Sequence, residues 1–261
     1  MTKAREPVPT MAFVDDYCTP YRAVFPNVRQ FEQVTHLALG LVAATKRKSL
    51  PRLAQATKAD PQAFHHFLAK ADWSVEALRA RRLDLTRQAR RERPFILCLD
   101  ETGDRKNGKT TDDAASHYSG HVHTLANGVV SVNAYGVLDT VTFPLAFRIY
   151  KPRRRLQPGD VSKSKPQVAV ELIQELTALG FSFSVVLADS LYGESWEFTH
   201  ALHHLGRSYV VAIRSHHVVW TFPGERVRQT RWRPFARVFT DGTTERRFIC
   251  ACVFGQRGGT R

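Results

Sequence analysis

Two short apolar runs, each closed by an aspartate, constrain this chain more than any other feature. The first is FILCLD, Phe95–Asp100, and the second is FSVVLAD, Phe183–Asp189. An apolar run of this length is too short for a helix and reads as a strand buried on both faces. Around them the pattern is equally directional. VVSVNAYGVLD and TFPLAFRIY read as two further strands. PQVAVELIQELTALG reads as a helix, with Val168, Leu172, Leu176 and Leu179 on its apolar side and Gly180 ending it. A helix from about Glu194 to Leu205 and a last strand in SYVVAIR complete the order β-β-β-α-β-α-β. Three strands in succession followed by helix-linked strands predict a mixed α/β sheet with an antiparallel side and a parallel centre.

In such a sheet neighbouring central strands deliver their C-terminal residues to one edge, so Asp100 and Asp189 can share a site although they are far apart in sequence. Their hard oxygen ligands suit Mg²⁺ or Mn²⁺. A pair of such ions about 4 Å apart activates a water or a 3′-hydroxyl for in-line attack on a phosphodiester. Taken singly, either aspartate is equally a turn cap, and only the pair points to a metal.

A competing motif overlaps the first strand end. GDRKNGKT, Gly103–Thr110, satisfies the phosphate-loop pattern G-x-x-x-x-G-K-[ST] and would make the chain a nucleotide hydrolase. That loop must open a helix, yet TDDAASHYSGHVHTLANG has no sustained apolar period and is broken at Gly120. Asp104, Arg105, Lys106 and Asn107 are bulky for a phosphate cradle, and Asp100 and Glu101 would repel phosphate. The expectation is a chance match.

Upstream, residues from about Val28 to Arg91 are helical in period and basic. Leu50, Leu53 and Ala54 form one apolar face and Phe64, Phe67 and Leu68 another, with Asp60 a cap and Pro61 in the first turn of the second helix. This is the pattern of a helix-turn-helix, or equally of two packed helices in a bundle, since the turn carries no glycine.

Charge narrows the partners. Thirty-eight Lys and Arg against 24 Asp and Glu leave a net charge of +14, which favours a polyanion, nucleic acid first. Two basic segments could contact its phosphates: Lys151, Arg153, Arg154 and Arg155 in one turn, and Arg226, Arg228, Arg231, Arg233 and Arg237 interleaved with Trp220, Trp232 and Phe235. No apolar run approaches the roughly 18 residues of a membrane span, and the N-terminus lacks a signal-peptide core, so a cytoplasmic, nucleoid-associated protein with no membrane partner is expected. Cys18, Cys98, Cys250 and Cys252 read as reduced thiols, and His117, His121, His123, His203, His204, His216 and His217 lack zinc spacing with a fourth ligand.

LDETGDRKNGK, HYSGHVHTLANGVVSVNAYG and VVLADSLYG together resemble the catalytic core of DDE insertion-sequence transposases, and SLPRLAQATKADPQAFHHFLAKADWSVEALRARRL is similar to their helical N-terminal region. The resemblance implies an RNase H-like core over residues 94–220. A helical, DNA-binding region over 1–93 precedes it, and a β-rich insertion begins at 221–261. It implies Asp100 and Asp189 as catalytic metal ligands for Mg²⁺ or Mn²⁺. Gly103, Lys106, Gly108 and Lys109 then lie in a loop whose lysines contact DNA, and His117 stands where the family carries glutamine. The implied partners are double-stranded DNA, as terminal repeats and target, and a second copy of the chain. The family's third acid, a glutamate on a helix beyond the insertion, has no match: Glu194, Glu197, Glu225 and Glu245 remain, and none is assigned. The expectation is therefore a shortened transposase with impaired strand cleavage and transfer, with a non-catalytic DNA-binding remnant as the alternative.

Overall fold

The computed structural model describes residues 5–91, 93–105, 115–119, 124–214, 233–238 and 242–249. By contact the chain divides into a unit of residues 1–213 and a second of 214–261.

The first unit opens with helices α1 (Ala12–Cys18), α2 (Val28–Val42), α3 (Leu50–Thr57), α4 (Pro61–Ala69) and α5 (Val75–Ala89). Their starts are written in the sequence. Asn27 accepts from the Gln30 N–H at 3.0 Å, Asp60 from Gln62 at 3.0 Å and Ser74 from Ala77 at 3.0 Å, each side chain satisfying a donor that the helix leaves free. Phe25, Phe31 and Phe67 are buried together with half-buried Trp73, whose ring stacks on Phe67 at 5.4 Å. Leu53, Ala54 and Phe64 form a smaller cluster between α3 and α4. Leu68, expected on the buried face of α4, is 45% exposed, because Phe64 and Phe67 already fill the side turned to α2 and α3.

The sheet is built from β1 (Phe95–Arg105), β2 (Ala115–Ser119), β3 (Thr124–Leu138), β4 (Val141–Ile149), β5 (Phe183–Ala188) and β6 (Tyr209–Val211). Strands β1, β5 and β6 run parallel; β3 is antiparallel to β1, and β2 and β4 both pair antiparallel with β3, at its opposite ends. Helix α6 (Lys165–Ala178) connects β4 to β5, and α7 (Ser190–Gly193) and α8 (Trp196–His204) connect β5 to β6. This is the expected α/β sheet of RNase H-like type, with β2 and the single turn α7 added to the order read from sequence. The helix expected from Glu194 starts at Trp196, capped by Ser195, because Glu194 instead closes α7.

Alternation places the core. Phe95, Leu97 and Leu99 of β1 are at most 3% exposed and pack with Val132, Leu145, Val168, Leu172, Ile173, Leu176, Phe198 and Leu202. Burial of each such Leu or Ile contributes about 1.5–3 kcal/mol. Leu179, expected on this face, is 42% exposed: it follows the last helical residue, where Gly180 turns the chain at φ 78°. Leu83 of α5 joins this core, Arg82 donates to the Pro144 carbonyl at 2.8 Å, and Glu175 of α6 holds Arg79 at 2.6 Å and Arg148 at 2.8 Å. The last basic helix before the sheet is thus packed onto it.

The phosphate-loop match is resolved by β1. The strand continues through Arg105, with Gly103 opposite Val130 and Arg105 opposite Gly128, so the first glycine of the motif lies inside a paired strand and not in the loop that a phosphate site requires; residues 106–114 lie outside the described residues, and the next described element is β2. Among the described residues no helix is long and apolar enough to cross a membrane. In the second unit β7 (Arg233–Val238) pairs antiparallel with β8 (Thr244–Ile249).

Candidate active site

Leu99 and Ala188 are the last paired residues of the parallel strands β1 and β5, so Asp100 and Asp189 follow side by side at the carboxyl edge. Leu97 and Leu99 point into the core, and alternation turns Asp100 to the other face, beside its cross-strand partner Asn133 of β3. Both aspartates are exposed. Each has one oxygen held locally: Asp100 Oδ1 accepts from the Glu101 N–H at 2.8 Å, and Asp189 Oδ1 accepts from Leu191 at 3.0 Å as the cap of α7. Asn133 sits in a polar floor, donating to Thr102 Oγ1 at 3.1 Å and to the Ser131 carbonyl at 3.2 Å.

The adjacent acid, Glu101, faces the other way. Its Oε1 accepts from Lys165 Nζ, at the start of α6, at 3.0 Å, while Oε2 is buried without a hydrogen bond among the described residues. Lys165 in turn lies 5.8 Å from the centre of the Tyr150 ring. This ion pair ties β1 to α6 and engages Glu101 away from the two aspartates.

Tyr192, three residues after Asp189, is fully buried, its ring tilted against Phe198 at 5.4 Å, with a hydroxyl that has no hydrogen-bond partner among the described residues. Burial pushes its phenol far above the usual tyrosine range, and Glu101, Asp189 and Asp100 raise it further, in that order. Because the hydroxyl is already desolvated and unsatisfied, Tyr192→Phe is expected to give a melting temperature no lower than wild type; a fall would reveal a bond to that oxygen. Sequence reasoning passed over Tyr192 and Lys165 as site neighbours, since nothing in their spacing marks them.

Arg153, Arg154 and Arg155 form a short 3₁₀ turn after β4, with Arg153 and Arg154 exposed, and Lys151 of the same basic turn pairs with Asp160 at 2.7 Å. Arg233 opens β7 in the second unit, while Lys106, Lys109 and Arg231 lie outside the described residues. Glu194 follows the end of α7, Glu197 accepts from Gln167 at 2.6 Å, and Glu245 lies opposite Arg237 between β7 and β8. Glu225 is outside the described residues. Among the described residues no three acidic, histidine or cysteine side chains are gathered so as to hold a metal ion.

Residues 20–241 match the family model described as DDE superfamily endonuclease. The chain is 45% identical, over its whole length and 69% of the relative's, to a protein of Microchaete diplosiphon named "Probable transposase for insertion sequence element IS701". With the family model spanning most of its length and a relative of this identity along all of it, the chain belongs to the DDE superfamily of endonucleases.

Proposed function

We propose that this protein is the transposase of an insertion sequence, which cuts DNA strands at the ends of the element and joins them to target DNA. One observation carries the reading: two aspartates in adjacent register at the carboxyl edge of the parallel strands of an RNase H-like sheet. The printed name of the Microchaete relative supports the same activity.

The donor set fits a divalent ion. Asp100 and Asp189 are exposed, close in register, and each keeps an oxygen with no hydrogen bond among the described residues, which suits Mg²⁺ or Mn²⁺. Such an ion, when bound, supplies activation of the attacking hydroxyl and stabilisation of the departing oxygen. The chain's own residues do the rest. The Glu101–Lys165 pair holds the end of β1, α7 holds Asp189, and exposed Arg153 and Arg154 contact backbone phosphates. Arg153→Ala together with Arg154→Ala is expected to weaken binding equally for all DNA sequences and to reduce the salt dependence of log K by roughly 2, read from binding isotherms over a range of salt. An unchanged slope removes these arginines from the interface.

A second reading, a DNA-binding protein that does not cut, is favoured by the presence of only two gathered carboxylates among the described residues. Nicking of a supercoiled plasmid carrying the element's ends separates the two. Cleavage that requires Mn²⁺ and stops on chelation supports the transposase; binding without cleavage at any divalent concentration supports the binder.

A further inference from the structure

We infer that His200 and His204 of α8 form a two-nitrogen chelating site for a borderline divalent transition ion, with Cu²⁺ held most tightly. The site uses neither Asp100 nor Asp189 and does not depend on the proposed cleavage activity.

The helix sets the pair before any ion arrives. His200 and His204 are four residues apart, so they stand on one face of α8, and both are exposed. Phe198 and Leu202 of the same helix are fully buried in the sheet core, which fixes the opposite face toward solvent. Both ends of α8 are closed. Ser195 accepts from the Phe198 N–H at 3.3 Å, and the Leu205 N–H bonds to the Ala201 carbonyl at 2.9 Å.

The ring geometry decides what the pair can do. His200 Nε2 and His204 Nε2 lie 3.1 Å apart, with ring centres at 4.2 Å and planes at 73°. Two imidazole nitrogens bound to one ion at about 2.0–2.1 Å stand about 2.9 Å apart at a right angle and about 3.3 Å apart at the tetrahedral angle. The pair already has the spacing of two adjacent ligands. Trp196, one turn earlier, stacks on His200 at 4.3 Å and 23°, which restrains that ring. His203 does not join them: its ring centre is 6.2 Å from that of His204. Without an ion the two nitrogens share a hydrogen bond, one ring donating its Nε2 proton to the other. Coordination uses both Nε2 lone pairs, and the donor ring then carries its proton on Nδ1, so the neutral pair loses none.

Imidazole nitrogen selects the class of ion. It suits Cu²⁺, Ni²⁺ and Zn²⁺, with Cu²⁺ strongest, whereas Mg²⁺ keeps to oxygen ligands. Among the described residues no third acidic, histidine or cysteine side chain gathers with the pair, so water takes the other positions. This is an open site, unlike the closed four-ligand sites of structural zinc. His204 is also the last residue of α8, where the partial negative charge of the helix end favours a cation.

Trp196 supplies the readout, because Cu²⁺ bound beside an indole quenches its fluorescence. The full chain is titrated with Cu²⁺ at neutral pH in excess Mg²⁺, and the part of the quench missing from Trp196→Phe reports this site. That part is expected to saturate. His200→Ala and His204→Ala should each move its midpoint to about tenfold higher Cu²⁺ or more, because the second nitrogen binds in an intramolecular step. His203→Ala should leave it in place. His204→Gln separates chelation from the hydrogen bond: the amide can still bond His200 but is a poor copper ligand, so the midpoint should move as with alanine. All four substitutions change exposed side chains and should keep the Cu²⁺-free melting temperature. The Asp100→Asn/Asp189→Asn variant should quench as wild type does, so this site and the cleavage reading stand or fall separately. A wild type without Trp196-dependent quenching overturns the inference, as does a midpoint unmoved by His200→Ala and His204→Ala. So does a midpoint that His203→Ala or the double aspartate variant moves as far.

Discussion

Asp100→Asn and Asp189→Asn are each expected to lower strand cleavage by a thousandfold or more while leaving the protein folded. A thousandfold corresponds to about 4 kcal/mol of lost transition-state stabilisation, the scale expected when a charged metal ligand loses its charge. The fold should not follow. Among the described residues Asp100 bonds only the next peptide N–H and Asp189 only the first turn of α7, where asparagine caps as well as aspartate does. Each substitution also removes one of two like charges placed side by side at the strand edge, so the metal-free melting temperature should hold or rise. Mn²⁺ gives a second readout: it should raise the melting temperature of wild type and fail to do so in either variant. A variant that nicks plasmid at the wild-type rate would exclude its aspartate from the site, and one that loses DNA binding as well would move it to the interface.

The strands of the site were legible because FILCL and VVLA are apolar on both faces, a pattern that few other local structures tolerate. That Asp100 and Asp189 follow the paired stretches of neighbouring strands agrees with the helix-linked order read from sequence, in which β1 and β5 run parallel. What the sequence hid was short or side-chain dependent. The one-turn α7 has no period to detect, and β2 is five residues in a segment without clear alternation. Leu68 and Leu179 carry the right period for burial yet stay exposed, because period alone does not say where a helix stops or which of two faces is already filled. The turn at Lys58 was ambiguous for want of a glycine, although lysine can take the same backbone at a modest cost. Glu101 looked like a companion of Asp100 until strand alternation sent it to Lys165.

Gly193→Ala is expected to damage stability and cleavage together, unlike the aspartate variants. A Cβ at Gly193 would lie 2.0 Å from the Ala212 carbonyl oxygen and 3.0 Å from Val211 Cβ, and the first of these is backbone that cannot rotate away. Nor can α7 yield freely. The Gly193 N–H bonds to the Asp189 carbonyl at 2.9 Å, and the Ala212 N–H bonds to Ala188 at 3.1 Å, so the turn and the end of β6 are both fastened to β5. Relief must come from moving α7 outward, which carries with it the turn capped by Asp189. Overpacking of this kind costs about 1–3 kcal/mol. At about 2 kcal/mol the melting temperature should fall by roughly 4–8 °C for a chain of this size. Because the displaced turn is the one that sets Asp189, cleavage at a temperature where the variant is fully folded should still fall, by tenfold or more, and the rise in melting temperature with Mn²⁺ should shrink. A loss of stability with full cleavage in the folded variant would show that Asp189 is held by β5 alone; unchanged values for both would show that β6 can move aside.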